Sequence, residues 1–288
     1  MAEEESPAAA PDATTVARST NPSWERVQMA RHPKRPQAYD YIHALITNFQ
    51  ELHGDRFFGD DKSIVGGMGF FHGKPVMILG QQKGKDTKEK LLRNFGMPKP
   101  EGYRKALRLM RLAEKFGRPI ITLIDTSGAY PGIDAEERGQ AEAIAHNMRE
   151  MSRLRTPVVT VVLSEGGSGG ALGIGVSNCV YMLENAYYSV ISPESCAAII
   201  YRDSGKAPEA AASLRLTAGD LLEMKIIDGI VPEPPGGAHL NPEPAMEAVR
   251  VTLKAALDEL GKMTPEQLVE QRYGRFRAMG NFFIEAVV

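Results

Sequence analysis

The chain has 288 residues, 43% of them hydrophobic and 24% charged, with 34 Lys and Arg set against 36 Asp and Glu. That is apolar material for one large domain or two small ones, and a net charge of −2 excludes wholesale attraction to nucleic acid or a membrane surface. Two cysteines, Cys179 and Cys196, build neither a disulfide framework nor a four-ligand zinc cluster, so no metal is expected in this chain.

Residues 1–22, rich in Ala, Pro, Glu and Thr, are expected to form a disordered acidic tail. The opening MAEEESPAAAPDATT lacks the pattern of a signal peptide and no segment has 18 uninterrupted apolar residues, which makes the cytoplasm the expected location. PQAYDYIHALITNFQEL places Tyr39, Ile42, Leu45, Ile46 and Phe49 at helical spacing and predicts one helix stopped by HGD. SIVGGMGFFHGKPVMILGQQ reads as a hairpin turning at His72 and Gly73. The next stretch, KGKDTKEKLLRNFGMPKP, is expected to be a loop. Lys83, Lys85, Lys88, Lys90, Arg93 and Lys99, with Arg104 and Lys105 just beyond, make it basic, although Asp86, Glu89 and Glu101 interrupt the charge. It feeds the helix EGYRKALRLMRLAEKFG, whose apolar face is Ala106, Leu109, Met110 and Ala113.

One pattern then appears twice. RPIITLID is a buried strand that breaks at TSGAYPG and is followed by the helix AEERGQAEAIAHNMREMSRL; TPVVTVVL is a second, breaking at SEGGSGG ahead of a helix predicted from about Ala171. Strand, glycine turn, helix, repeated, is the grammar of a parallel sheet with crossover helices and so of an α/β fold. CVYMLENAYYSVISPES adds two short strands, PESCAAIIY a helix, and the chain from Pro242 two more helices, the second with Thr264 as N-cap. The expected division is a main domain over 23–262 and a helical C-terminal tail over 263–288.

Three chemistries compete for the second turn. Phosphate-binding loops fail, because Gly-Lys-Ser/Thr is missing and Leu172 stands where G-x-G-x-x-G needs its third glycine. A nucleophile elbow fits literally, Gly166 to Gly170 around Ser168, but a hydrolase also needs a base; His239 is the only later histidine and His146 lies within a helix. Finally, glycine lets bare backbone approach a ligand, so main-chain N–H groups of Gly128 and Ala129 in the first turn, and of Gly169, Gly170 and Ala171 in the second, can form an oxyanion hole. Asp125 and Glu165 precede the two turns with no partner legible in the sequence.

The blocks KGKDTKEKLLRNFGMPKPEGYRKALRLM, IDTSGAYPG, EERGQAEAIA, REMSRLRTPV, EGGSGGALGIGV, YSVISPESCAAI and IIDGIVPEPPGGAHLNP carry a family resemblance. Over about 31–260 the chain resembles the alpha subunit of the bacterial carboxyltransferase component of acetyl-CoA carboxylase. The resemblance implies the crotonase-like (ClpP/crotonase) spiral of ββα units with flanking helices, and transfer of a carboxyl group from carboxybiotin on a biotin carboxyl carrier protein to acetyl-CoA, giving malonyl-CoA for fatty acid synthesis. It implies as partners a zinc-ribbon beta subunit, the carrier and a biotin carboxylase, with propionyl-CoA the nearest competing substrate. The alpha half is expected to hold the biotin side through its backbone oxyanion hole. Lys83, Lys85, Arg93 and Arg104 are expected to draw coenzyme A phosphates or acidic patches of the carrier. The chain departs from the family in having Ser127 where proline is common, and in a shortened N-terminal helical extension. A serine hydrolase of the same fold, using Ser168, is the alternative.

Overall fold

The computed structural model describes residues 21–280. The tail expected over 1–22 thus lies outside the described residues except for its last two, and so does the end of the C-terminal tail, 281–288. A helix, α1 (Pro22–Ala30), opens the described chain; the Asn21 side chain caps it by accepting from Trp24 N–H. Then α2 (Ala38–Leu45) and β1 (Thr47–Glu51) divide what the spacing predicted as one helix. The β-branched pair Ile46–Thr47 disfavours helix, Asn48 turns at φ +53°, and the chain pairs antiparallel with β2 (Ile64–Phe71). Gly67 admits that close approach, since a Cβ there would lie 2.0 Å from the Gln50 carbonyl oxygen.

β2 and β3 (Lys74–Gln81) form the expected hairpin around His72 and Gly73, both at positive φ. The basic loop carries a short helix, α3 (Thr87–Leu92), capped by the Asp86 side chain, and leads into α4 (Pro100–Lys115). Its four predicted apolar residues are all buried on a helix that packs against β2 and the later helix over 140–151, and sealing such side chains from water stabilises by roughly 1.5–3 kcal/mol for each large one.

The doubled unit follows as β4 (Ile120–Thr126), α5 (Ile133–Glu137) and α6 (Gln140–Met151), then β5 (Val158–Gly167) and α7 (Ser168–Leu172). Gly139 at φ +81° breaks the single helix predicted after the first turn, and α7 begins three residues earlier than expected. β6 (Cys179–Leu183), β7 (Tyr187–Ser189), α8 (Pro193–Ile200), α9 (Ala207–Leu214), α10 (Ala218–Glu223) and β8 (Gly229–Val231) follow, and α11 (Pro242–Leu260) and α12 (Pro265–Arg277) close the chain. Thr264 caps α12 as predicted. The buried Arg272 side chain locks that helix to the carbonyls of Met151, Leu154 and Thr156.

The eight-stranded sheet runs β1-β2-β3-β4-β5-β6-β8, with β7 beside the end of β5. From β3 onward the pairings are parallel, and every residue of β4 and β5 is buried because both sheet faces are covered. The buried Thr122 and Thr160 hydroxyls satisfy each other at 2.7 Å across matched register positions. Among the described residues no helix is long and apolar enough to cross a membrane.

Candidate active site

Because β4 and β5 are parallel neighbours with Thr126 opposite Gly166, both glycine turns leave the same edge side by side. They are in backbone contact. A Cβ on Gly170 would lie 2.4 Å from the Gly128 carbonyl carbon and 2.5 Å from Ala129 N, and one on Gly167 would lie 2.1 Å from the Ser127 carbonyl oxygen. Real Cβ contacts are not that short, so glycine at 167 and 170 is required by close approach of two chains, beyond the needs of either turn alone.

The Thr126 hydroxyl closes the first turn, donating to the Gly128 carbonyl at 2.7 Å and accepting from Gly128 N–H at 3.1 Å. It fixes the loop on either side of Ser127 and uses up the Gly128 amide. Tyr130 N–H is bonded to the Pro98 carbonyl at 3.0 Å. Between them, Ala129 N–H finds no acceptor among the described residues. In the second turn Gly167 is the N-cap of α7, so the helical ladder first engages Ala171 N–H and leaves those of Gly169 and Gly170 outside it. Of the five residues singled out from the sequence, Ala129 and Gly169 or Gly170 therefore offer unspent amides, while Gly128 and Ala171 serve the turns themselves.

Beneath the turns lies a buried ion cluster. The Lys83 ammonium sits 2.8 Å from Asp125 and also bonds Glu165, joining the ends of the two turn-bearing strands. Glu165 accepts in addition from Arg31 at 2.7 Å and from the Tyr187 hydroxyl at 2.6 Å, and Arg31 reaches on to Glu194 at the start of α8. Burial alone would raise the Glu165 pKa, but Lys83, Tyr187 and Arg31 outweigh it and hold the carboxyl down at about 2. On Asp125 burial prevails over the same lysine, and its pKa is raised. Burial would lower the Lys83 pKa, yet its two carboxylates leave it raised.

The four basic residues expected to bind anions each have a carboxylate partner in this chain. Lys83 has the cluster just described, Lys85 meets Asp40 at 2.6 Å, Arg93 meets Glu89 at 2.8 Å and Arg104 meets Asp55 at 2.8 Å. Lys105 is fully buried on Asp60, and Lys99 pairs with Asp134. The exposed basic surface of this segment narrows to Lys85 and Lys88.

Ser168 is exposed and lies at φ +50°, the conformation of an elbow. None of the six histidines reaches it. His146 faces Glu142 and Arg111, His239 stacks on His32, and the contacts of His43, His53 and His72 are with Tyr39, Asp60 and Phe71. Ser168 and Gly169 instead border a cavity of about 440 Å³ walled by apolar side chains such as Leu172, Leu214, Met224 and Phe276, with Tyr188 and Arg275 beside them. That volume is of small-ligand size. Among the described residues no group of three or more His, Cys, Asp or Glu side chains is placed to hold a metal ion.

Sequence reasoning overlooked Thr126, Lys83 as a partner for Asp125 and Glu165, and Gln81 and Tyr103, which both donate to the Gly170 carbonyl. One signal was present: an acid stands just before the end of each of the two buried strands, and two acids buried side by side demand a cation.

A family model described as "Acetyl co-enzyme A carboxylase carboxyltransferase-like" matches residues 12–280. Two proteins called acetyl-coenzyme A carboxylase carboxyl transferase subunit alpha, from Thermus thermophilus and Aquifex aeolicus, are each 59% identical to this chain. The alignments span 90% and 91% of it and 83% and 81% of the relatives. Among solved structures, transcarboxylase 12S with methylmalonyl-coenzyme A and methylmalonic acid bound superposes with a TM-score of 0.65 at 19% identity, over 79% of this chain and 42% of that one. A Pseudomonas malonate decarboxylase hetero-tetramer in complex with coenzyme A gives 0.65 at 17% identity, over 81% and 91%. Those likenesses establish the crotonase-like fold.

Proposed function

The chain belongs to the family of acetyl-CoA carboxylase carboxyltransferase alpha subunits, a transferase half that works with a beta subunit, and from that premise we propose that its two glycine turns form the oxyanion hole on the biotin side of the shared site. The observation that carries the reading is the backbone contact of Gly170 with the Gly128–Ala129 peptide, which brings two unspent amides together. The covalently bound biotin of the carrier protein supplies the ureido ring that gives up and accepts the carboxyl group. Ala129 N–H with Gly169 or Gly170 N–H would stabilise, without reorganisation, the negative charge that such a ring would carry on an oxygen once its carboxyl group had left. The apolar cavity beside Gly169 suits a largely hydrophobic ring on an aliphatic arm. Lys85 and Lys88, on the surface, are the lysines of the basic segment left to steer coenzyme A phosphates or an acidic carrier. Acetyl-CoA is the proposed acceptor and biotin carboxylase the source of the carboxylated carrier.

With no histidine in reach, Ser168 is a turn residue in this account. Ser168→Ala is expected to keep carboxyl transfer within about threefold of wild type, measured with the beta subunit present. A loss on the order of 10⁴-fold, as for a member of a catalytic triad, would restore the hydrolase reading.

A further inference from the structure

Main-chain pairing of β3 with β4 ends at Gly80 opposite Leu123. One residue later Gln81 still pairs with β2, and on the β4 side its side chain takes over the work of the ladder. The fully buried Gln81 accepts from Asp125 N–H through its Oε1 at 3.2 Å, and its Nε2 donates to the Gly170 carbonyl at 2.7 Å. Asp125 lies three residues before Gly128 on the strand that presents the first turn; Gly170 is the residue of the second turn that touches Gly128 and Ala129. A single planar amide, whose donor and acceptor keep a fixed separation, thus spans both halves of the hole.

We infer that Gln81 is a positioning residue for carboxyl transfer, setting the gap between the Ala129 amide and the amides at the start of α7. The inference rests on the oxyanion reading above. Buried networks of this kind are stiff when every member is satisfied, and loosening the support of a catalytic group by about 1 Å can lower its rate 10²-fold. Tyr103 supplies an internal comparison. Its hydroxyl donates to the same Gly170 carbonyl at 3.2 Å, but it makes no hydrogen bond to β4 or the first turn, so it steadies one side without spanning the gap.

The test is transfer from malonyl-CoA to biocytin by the complex of this chain with its beta subunit, together with thermal melting of each complex. Gln81→Met, which keeps the volume and removes both hydrogen bonds, is expected to lower kcat by about 10- to 100-fold with KM for malonyl-CoA unchanged within about twofold. Tyr103→Phe, which deletes one neutral hydrogen bond where Gln81→Met deletes two, is expected to change kcat by less than about threefold with a smaller shift in Tm. Kcat that merely follows Tm across the two variants would overturn the positioning role. Should Gln81→Met fail to assemble, Gln81→Leu decides: it likewise has neither acceptor for Asp125 N–H nor donor for the Gly170 carbonyl, and wild-type kcat in that variant would also overturn it. If the Gln81 variants keep their kcat while Gly170→Ala loses it, this inference fails and the oxyanion hole stands. If Gly170→Ala keeps its kcat too, the oxyanion hole itself falls.

Discussion

Gly170→Ala is expected to lower carboxyl transfer by about 10²- to 10³-fold, the effect of losing one oxyanion donor. The added methyl has nowhere to go, since its position lies 2.4 Å from the Gly128 carbonyl carbon and 2.5 Å from Ala129 N, all backbone atoms that cannot swing aside. The turns must part, which costs about 1–3 kcal/mol as overpacking does elsewhere and separates the two amides. Gly169→Ala is the matched comparison. A Cβ there meets only the Ile144 side chain, at 3.7 Å, an ordinary contact, and the variant is expected to retain most of its activity. Measuring kcat for both variants in complex with the beta subunit, with melting curves to establish folding, checks the pair. Equal and near wild-type rates would mean that the contact between the turns has no part in catalysis.

Lys83→Met is expected to be the most destabilising single change in the site. Removing the cation strands Asp125 and Glu165 side by side in the interior, and breaking a buried pair in this way typically costs about 3–5 kcal/mol, or a Tm lower by roughly 6–20 °C for a chain of this size. The sign of the pH dependence follows from the carboxylates. In the wild type Glu165 titrates at about 2 when folded against an ordinary 4.5, so its stabilisation is present above pH 4.5 and is lost as the pH falls toward 2. The raised pKa of Asp125 opposes this in part, because that carboxyl already favours its proton in the folded state. In the variant both carboxyls lack the ammonium, their folded pKa values rise, and protonation relieves the repulsion. The Tm gap between wild type and variant is therefore expected to narrow between pH 8 and pH 5. A gap independent of pH would show that Lys83 contributes packing and no charge compensation.

Where the sequence was legible and where it was not follows from the range of the interactions. The strands β4 and β5 announce themselves by unbroken apolar runs, the hairpin by Gly73, and α4 by its spaced apolar face, all of them local signals. The two turns were recognisable as a pair because one pattern occurs twice. That pattern could not say which amide is free, since this depends on Thr126 two residues before Gly128 and on where α7 begins. The helix predicted through Phe49 fails for a related reason: helical spacing continues across Ile46 and Phe49, but a partner strand with room made by Gly67 captures residues 47–51. Lys83 looked like a member of a surface cluster because its neighbours in sequence are basic. Its partners lie 42 and 82 residues away in sequence, and only the sheet brings them together. Gln81 carried no signal at all, being a polar residue at a strand end whose two acceptor and donor partners come from different units of the fold.

The proposed site is complete only when the beta subunit is present. Transfer of the carboxyl group from malonyl-CoA to biocytin, measured for this chain alone and after mixing with the carboxyltransferase beta subunit of the same cell, tests it most directly. Transfer in the mixture and none by either chain alone is the result predicted. Full activity of this chain by itself, or no transfer in a mixture shown to have formed the complex, would contradict it.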